Sequence, residues 1–337
     1  MSEPSTAAAP IGVSIVLPVL NEERHLAESV QRLLRQDYPG PFEIVLALGP
    51  SRDRTDEIAA ALVSADSRVR TVPNPSGRTP EAMNRAIAAA SHDVIVRIDG
   101  HSLVPDDYIS TAVEVLERTG ADNVGGIMAA EGVTEFEKAV ARAMTTKLGV
   151  GAAAFHVGGD EGPALTVYLG CFRRSSLERV GGYDEAFTRA QDWEMNYRIR
   201  ETGGVVWFTP QLQVTYRPRA TLRALARQYF EYGQWRHEVS RVHRGTLSLR
   251  YLAPPVAVLG VLVGSIFGLC ALVFGNRWLA FGWLAPAGYL TLVVVGSILS
   301  ARRLSFRSLL ALPVVFATMH GAWGIGFLTS RRRTRVA

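Results

Sequence analysis

Hydrophobic positions follow two regimes along the chain. In the first hundred residues, short apolar runs alternate with stretches whose apolar residues recur every three or four positions. Val13–Leu17 is an apolar run ending at Pro18, and Glu22–Gln36 carries Leu26, Val30, Leu33 and Leu34 on one helical face. Glu43–Leu48 reads as a second buried strand, Asp56–Ser64 as a helix and Val69–Val72 as a third strand. Pro80–Ala90 then reads as a helix and Asp93–Ile98 as a fourth strand. Short strands alternating with helices predict a parallel α/β sheet. Such sheets bind ligands at the carboxyl ends of their strands.

The second regime begins near residue 250. From Tyr251 to Leu299 the only charged residue is Arg277, and Leu309–Ser330 contains none. Tyr251–Phe274 and Trp278–Leu299 reach the ~20 residues needed to cross a hydrocarbon core of ~30 Å. A third stretch, Leu309–Leu328, is long enough but carries Pro313, His320, Gly321, Gly324 and Gly326. Three such segments in succession, with Trp278, Trp283, Tyr289 and Trp323 among them, predict a membrane protein. Just before them, Leu222–Arg244 repeats Leu222, Leu225, Tyr229, Tyr232, Val239 and Val242 at helical spacings, with arginines around them. A basic amphipathic helix in that place suits the membrane interface; the alternative is an ordinary helix packed on the sheet.

Charge sharpens the division. The chain of 337 residues carries a formal net charge of +5, but no acidic residue follows Glu238. Residues 1–238 hold 25 Lys+Arg and 31 Asp+Glu, a net −6, whereas residues 239–337 hold 11 Arg and no acid. A nucleic-acid-binding protein would be basic across its folded domain, so no nucleic-acid partner is expected. Met1–Gly12 lacks the basic start and apolar run of a signal peptide and reads as a disordered lead-in. The N-terminal region is therefore expected to remain cytoplasmic, with a multi-pass anchor in the plasma (inner) membrane. Arg236, Arg241, Arg244 and Arg250 before the first span agree with the positive-inside rule. Three full spans would put Arg331, Arg332, Arg333 and Arg335 outside, so either the third segment is re-entrant or the charge rule fails there. The two cysteines, Cys171 and Cys270, form no disulfide framework and read as buried apolar residues.

The strand ends carry the candidate chemistry. Pro18, Asn21 and Glu22 follow the first strand, and Ser51, Asp53 and Thr55 follow the second. Arg78 follows the third and leads into a helix holding Asn84; Asp99 and His101 follow the fourth. Singly these are weak signals: Ser51, Asp53 and Thr55 equally suit capping of the next helix, and Arg78 equally suits a solvated loop. A carboxylate with a histidine two positions on can direct both side chains to one metal in a tight turn. No G-x-G-x-x-G follows a strand, which leaves a nicotinamide dehydrogenase without support.

The order of these pieces resembles the family-2 glycosyltransferases. The series is strand-P-x-x-N-E, then S-x-D-x-T, then a strand ending in D-x-[DH], then Gln191-Asp192-Trp193-Glu194. The succinoglycan-biosynthesis subgroup is similar also at Val96-Arg97-Ile98-Asp99-Gly100-His101, Gly170-Cys171-Phe172-Arg173-Arg174, Val180-Gly181-Gly182-Tyr183-Asp184-Glu185 and Arg227–Arg236. The resemblance spans Val13 to Arg244. It implies a GT-A (Rossmann-like) fold and metal-dependent, inverting sugar transfer from a nucleotide sugar, a UDP-sugar by default. The implied layout is a lead-in (1–12), a GT-A catalytic domain (13–220), an interfacial helix and basic linker (221–250), a membrane region (251–330) and a basic tail (331–337).

Roles carried over by that resemblance can be justified chemically. Pro18, Asn21, Glu22, Ser51, Asp53, Arg78, Asn84 and Asp99 would bind the nucleotide sugar, Arg78 by supplying charge to the diphosphate. Asp99 and His101 would hold a divalent cation that neutralises the leaving diphosphate. Relatives usually have a second Asp where His101 stands, so Mn²⁺ is favoured over Mg²⁺, which prefers oxygen ligands. Asp192 would be the base that deprotonates the acceptor hydroxyl, with Glu194 as a weaker catalytic candidate or a support for it. From the residues alone, Asp192 could instead be a helix N-cap.

Gln191, Trp193, Gln228, Trp235 and Arg236 would face the acceptor. Gln228 and Trp235 are seven apart, so the Q-x-x-R-W pattern of processive relatives is absent, in favour of single transfer to a lipid-linked saccharide. The alternatives are a polyprenyl-phosphate sugar synthase and a non-catalytic membrane module that binds nucleotide sugars. One departure bears on the donor: acids that read uracil in relatives are replaced by Leu48 and Gly49. Thr134–Leu148 has helical spacing, and the Gly- and Ala-rich Gly149–Pro163 reads as a loop or a mobile lid.

Overall fold

The computed structural model describes residues 10–331. Most of the expected lead-in, and Arg332, Arg333 and Arg335 of the basic tail, lie outside the described residues. In chain order the first elements are β1 (Val13–Val19), α1 (Leu26–Leu34), β2 (Phe42–Leu48), α2 (Thr55–Ala65), β3 (Val69–Pro73), α3 (Thr79–Ala89) and β4 (Val94–Arg97). Then come α4 (Tyr108–Thr119), β5 (Asn123–Ala130), α5 (Glu135–Met144), the one-turn helices α6 (Lys147–Val150) and α7 (Ala154–Val157), and the short β6 (Gly162–Pro163). The chain continues through β7 (Tyr168–Arg173), α8 (Arg174–Val180), α9 (Gln191–Glu201), β8 (Val206–Tyr216) and α10 (Leu222–Val242). It ends in α11 (Leu249–Phe274), α12 (Leu284–Ser300) and α13 (Phe306–Leu328).

Among the described residues, eight strands form one sheet in the order β3-β2-β1-β4-β7-β5-β8-β6. The apolar runs at its centre pair in parallel, with Ile15 opposite Ile44 on one side and Val96 on the other. Their side chains are buried on both faces, which is why these strands show no alternation. The wholly parallel sheet expected from the sequence stops at β4: β7 runs antiparallel to it, with Val96 opposite Cys171. Strand pairing across so long a separation is set by tertiary packing, which local periodicity does not report. A Cβ at Gly126, beside an irregularity in the β5–β7 register, would run into the backbone of Leu212, so glycine lets β8 approach β5.

The chain divides into two compact units, one built from residues up to 129 with 158–216, the other from 130–157 with 217 onward. The contiguous 13–220 partition therefore loses 130–157 to the second unit. In the first unit, β1 and β4 are neighbours and the chain switches sides of β1 between β3 and β4. A crevice forms outside the carboxyl ends of strands at such a switch point. The expected helix from Glu22 begins only at Leu26, because Asn21 takes a positive φ of 55° and the chain turns before α1. Glu161 accepts hydrogen bonds from Arg118 (2.6 Å), Trp207 (3.0 Å) and Thr209 (3.2 Å), so the end of Gly149–Pro163 is a pinned edge strand rather than a loop.

In the second unit, α5 starts with a capping box: Thr134 Oγ1 accepts from Glu137 N (3.2 Å) and Glu137 accepts from Thr134 N (2.8 Å). The expected single helix over Thr134–Leu148 is divided into α5 and α6. Three helical stretches, Leu249–Phe274, Leu279–Ser300 and Phe306–Leu328, are long and apolar enough to cross a membrane. Leu262, Phe267, Leu272, Phe274, Leu290, Leu299 and Leu310 among them are exposed. The second includes a 3₁₀ turn, Leu279–Trp283, before α12. The third is one continuous helix through Pro313, with no re-entrant reversal. Ser305 caps it through Ser308 N (3.2 Å), and Ser308 Oγ donates to Glu135 of α5 (2.8 Å). Helix α10 lies along α13 at very short range: a Cβ at Gly233 would strike the Trp323 carbonyl, and one at Gly326 the Phe230 carbonyl.

Candidate active site

The crevice of the first unit begins with the loops after β1 and β2, which are knitted together through their polar side chains. Ser51 Oγ accepts from Asn21 N (3.0 Å), and Asn21 Oδ1 accepts from Arg52 N (2.8 Å). Thr55 Oγ1 accepts from Glu22 N (2.7 Å), while Asp53 accepts from Glu23 N (3.3 Å), Thr55 N (3.1 Å) and the Thr55 hydroxyl (2.5 Å). The hydroxyl bond of Thr55 and those backbone donors hold the Asp53 carboxyl below its ordinary pKa. Ser51 and Asp53 thus shape the loop, and Asp53 also meets Thr55, the first residue of α2. Pro18 pairs with Ala47 at the end of β1.

Arg78 pairs with Glu81 one turn into α3 and donates to the Glu185 carbonyl (3.4 Å). The Asn84 amide joins α3 to the loop before α9: it donates to the Tyr183 carbonyl (2.9 Å) and Glu185 (3.1 Å), and accepts from Tyr183 N (2.8 Å). Asn84, expected at the nucleotide, thus serves as a staple that fixes Tyr183.

At the centre stands a residue the sequence reading did not single out. Arg97, the last residue of β4, has a side chain 4% exposed and lies between two carboxylates. Its Nη2 donates to Asp99 Oδ1 (2.9 Å) and its Nη1 to Asp192 Oδ1. Both bonds to Asp99 fall on Oδ1, leaving Oδ2 outside them. Burial opposes the Arg97 charge, but Asp192 and Asp99 outweigh it and hold its pKa well above the ordinary value. For Asp192 burial dominates and raises the pKa; Arg97 opposes the rise and the Asp99 charge adds to it. Tyr183 packs under Arg97, its ring centroid 6.0 Å from the guanidinium carbon. Burial likewise raises the phenols of Tyr183 and Tyr168, with the Asp99 and Asp192 charges contributing to both.

Asp192 lies in the first turn of α9, whose N-cap is Ala190 at φ 58°, so it is not itself the cap. A non-glycine residue in that conformation at a functional turn is a local strain that the surrounding packing must hold. Gln191 begins the helix, and Trp193 stacks on Tyr197 with ring centroids 5.5 Å apart. Glu194 is buried and forms a two-pronged ion pair with Arg198 (2.7 Å for each bond). That pair braces α9, the helix that carries Asp192.

His101 Nδ1 lies 2.8 Å from Glu22 Oε1, so Glu22, expected at the nucleotide, meets His101, expected at the metal. Among the described residues no three His, Cys, Asp or Glu side chains gather as a metal cage. Gln228, Trp235 and Arg236, expected near the acceptor, are buried on α10 in the second unit. Gln228 Nε2 donates to the Tyr232 hydroxyl (3.0 Å), and Arg236 stacks on Tyr251. The signal for Arg97 was available: one cation ending a buried apolar strand needs partners, and a buried charge is rarely left alone.

The model of the family described as Glycosyl transferase family 2 matches residues 14–181. The chain is 35% identical over 328 residues to the succinoglycan biosynthesis protein ExoA of Rhizobium meliloti (strain 1021), covering 95% of this chain and 96% of that protein. It is 22% identical to a dolichyl N-acetyl-alpha-D-glucosaminyl phosphate 3-beta-D-2,3-diacetamido-2,3-dideoxy-beta-D-glucuronosyltransferase of Methanococcus voltae, over 78% of this chain and 84% of that one. Among solved structures, the mannosyltransferase PcManGT from Pyrobaculum calidifontis in complex with GDP-Man and Mn²⁺ superposes with a TM-score of 0.58 at 19% identity. That match covers 94% of this chain and 87% of the other, and it shows the shared GT-A fold. A match over nearly the full length of a family member, on top of the family's sheet and motifs, has a plain consequence: the chain belongs to glycosyltransferase family 2 and is a glycosyltransferase.

Proposed function

We propose that the protein is a membrane-bound inverting transferase that moves a sugar from a nucleotide donor to a lipid-linked glycan in cell-surface polysaccharide or glycolipid synthesis. The observation that carries this reading is the shared grip of Arg97 on Asp99 and Asp192. A donor-side carboxylate and a candidate base are held at a set separation by one buried cation. Asp192, with its pKa raised chiefly by burial, is the stronger base for it. It takes the proton of the acceptor hydroxyl, and the loops around Asn21, Ser51 and Asp53 cradle the nucleotide.

The donor set suits a divalent metal bound together with the donor diphosphate. Asp99 offers Oδ2, and a Glu22 carboxylate on Nδ1 of His101 fixes the imidazole in the tautomer whose lone pair is on Nε2. Two protein ligands of this kind favour Mn²⁺ and leave the remaining positions for diphosphate oxygens. Such a cation would act as a Lewis acid on the departing diphosphate. The solved mannosyltransferase that shares the fold carries Mn²⁺ and GDP-Man, which supports a nucleotide sugar and a metal here.

Three helices able to cross a membrane, and the dolichyl substrate in the name of the Methanococcus voltae relative, support a lipid setting for the acceptor. The test is a panel of nucleotide sugars with Mn²⁺ on detergent-solubilised full-length protein, scoring donor hydrolysis and transfer to a lipid extract by product mass. Transfer of one sugar to a lipid-linked saccharide is expected. Transfer to simple polyprenyl phosphate alone would reassign the acceptor, and no hydrolysis or transfer with any donor would overturn the reading.

A further inference from the structure

The three apolar helices of the second unit are not equivalent. Helices α11 and α12 form an antiparallel hairpin packed through glycine: a Cβ at Gly268 would strike the Trp283 ring, and one at Gly264 the Gly282 carbonyl. Gly264 also faces Pro286. Carried along both helices, that register sets Tyr251, near the start of α11, level with Leu299, near the end of α12. Helix α13 begins at Phe306, just beyond this end of the hairpin. At a rise of about 1.5 Å per residue, a third span would carry Trp323 about 25 Å from Phe306, towards the opposite end. Trp323 is instead stacked on Tyr251 with ring centroids 6.5 Å apart, and a Cβ at Gly324 would strike the Pro254 carbonyl. Both ends of α13 therefore lie at the same end of the hairpin. His320 reaches in to the Tyr289 hydroxyl (3.2 Å), so the helix lies sunk and tilted there.

The neighbours of α13 agree. Its first turn meets α5 through Ser308 and Glu135 (2.8 Å), and Arg142 of α5 donates to the Ser300 carbonyl at the end of α12 (2.5 Å). Further along, His320 Nε2 meets the Leu148 carbonyl of α6 (2.8 Å). At the far end two bonds join it to α10: His237 Nδ1 donates to the Phe327 carbonyl (2.8 Å), and Ser330 Oγ donates to the Gln234 carbonyl (3.2 Å). Helices with polar faces thus follow α13 along its length. Helix α10 carries Glu231, Glu238 and Arg241, and such groups are costly inside a hydrocarbon core. The other side of α13 is apolar and uncovered. Phe306, Leu310, Val314, Ile325 and Leu328 are exposed on one helical face, whereas Leu312, Val315, Phe316 and Met319 are buried against the neighbours.

We infer that α13 does not cross the membrane. It lies along the leaflet from which α11 enters, at the boundary of headgroups and acyl chains, with the face of Phe306, Leu310, Val314, Ile325 and Leu328 on lipid. The inference rests on the membrane-bound reading above and adds the number of crossings and the surface that meets lipid. It also removes a conflict in the sequence. With two spans, Arg302, Arg303 and Arg307 before α13 and Arg331, Arg332, Arg333 and Arg335 after it share the side of Arg241, Arg244 and Arg250, as the positive-inside rule requires.

The test uses the full-length protein in sealed vesicles of one orientation. Asn276→Cys, Arg302→Cys and Arg331→Cys are labelled singly with a membrane-impermeant maleimide, the parent serving as blank for Cys171 and Cys270. Positions 302 and 331 are expected to react from one side and 276 from the other. Reaction of 331 from the side of 276 would make α13 a third span and overturn the inference alone. Reaction of all three from one side would overturn the membrane-spanning reading with it. A protease-cleavable tag after Ala337 of the unsubstituted chain should be cut from the same side as one before Met1; cutting from opposite sides refutes the inference without relying on a variant's fold. Spin labels on Leu310→Cys and Ile325→Cys then report depth. Both should meet lipid-dissolved oxygen at depths within about 10 Å of each other, where a span would separate them by about 22 Å. Labels shielded from oxygen would place another protein chain on that face and overturn the lipid assignment.

Discussion

Arg97, at the end of β4, donates to the carboxylate of Asp192, a residue 95 positions further along the chain. The same guanidinium holds Asp99 two positions away, so strand β4 and helix α9 meet through one cation. Arg97 is accordingly a positioning residue. Arg97→Met should lower kcat by roughly two orders of magnitude, the scale of a small misplacement of reacting groups. Arg97→Lys should restore part of it with little change in donor KM. Steady-state kinetics on both variants checks this; equal kcat in Arg97→Met and wild type would remove Arg97 from the reaction.

Asp192→Asn should abolish turnover while nucleotide-sugar binding survives. In the wild type, activity requires the deprotonated carboxylate, whose pKa burial raises. Activity should therefore fall with decreasing pH at a value above the ~3.9 of an ordinary aspartate. A pH profile of kcat/KM with an acid limb at or below that value would contradict the assignment.

Metal preference tests His101. An imidazole ligand favours Mn²⁺ over Mg²⁺, so wild type should be faster with Mn²⁺, and His101→Asp should narrow the difference. Equal rates with the two metals in wild type would exclude His101 as a ligand.

Glu43 makes a separate prediction about stability. Its carboxylate accepts from Ser14 (2.6 Å), Arg70 (2.7 Å) and Ser91 N (2.5 Å), joining three strands and the turn before β4. Burial acts to raise its pKa, but these partners prevail and lower it to about 2. Because the folded pKa lies below the unfolded value, the stabilisation is complete above about pH 4.5 and is lost as pH falls towards 2, with an upper bound of about 3 kcal/mol. Glu43→Gln should melt below wild type at pH 7, and the gap should narrow by pH 3. A gap independent of pH would show that the charge contributes nothing.

Asn84→Ala separates a structural staple from a ligand contact. Loss of the two part-buried hydrogen bonds to the Tyr183 backbone, which leaves its N–H and carbonyl unpaired, should lower stability by about 1–3 kcal/mol. It should weaken kcat more than donor affinity, because it frees the segment that leads to Asp192. A large loss of donor affinity with unchanged stability would restore Asn84 to the nucleotide site.

Much of this was legible in the chain's own pattern. The buried β1, β2 and β4 are continuous apolar runs, and such runs admit few other structures. The T-x-x-E start of α5 states its cap in four residues. The long apolar stretches after residue 250 showed their helices by length alone, and the charge reversal after Glu238 marked where they would begin. What the pattern did not report were the protein partners of its polar side chains. Glu22, Asn84 and Glu194 each have the right chemistry for a ligand, and in the fold each also meets another residue: His101, Tyr183 and Arg198.

The sequence by itself determined the family, the strand ends where chemistry collects and the helices fit for a bilayer. Those properties follow from residue type and spacing, which are local. Only the tertiary structure decided that β7 runs antiparallel to β4, that 130–157 packs with the C-terminal helices, and that Asp99 and Asp192 share Arg97. Each of these depends on contacts between residues far apart in the chain. A buried guanidinium selects its carboxylates by what the folded sheet brings within hydrogen-bond reach, and no periodicity records that choice.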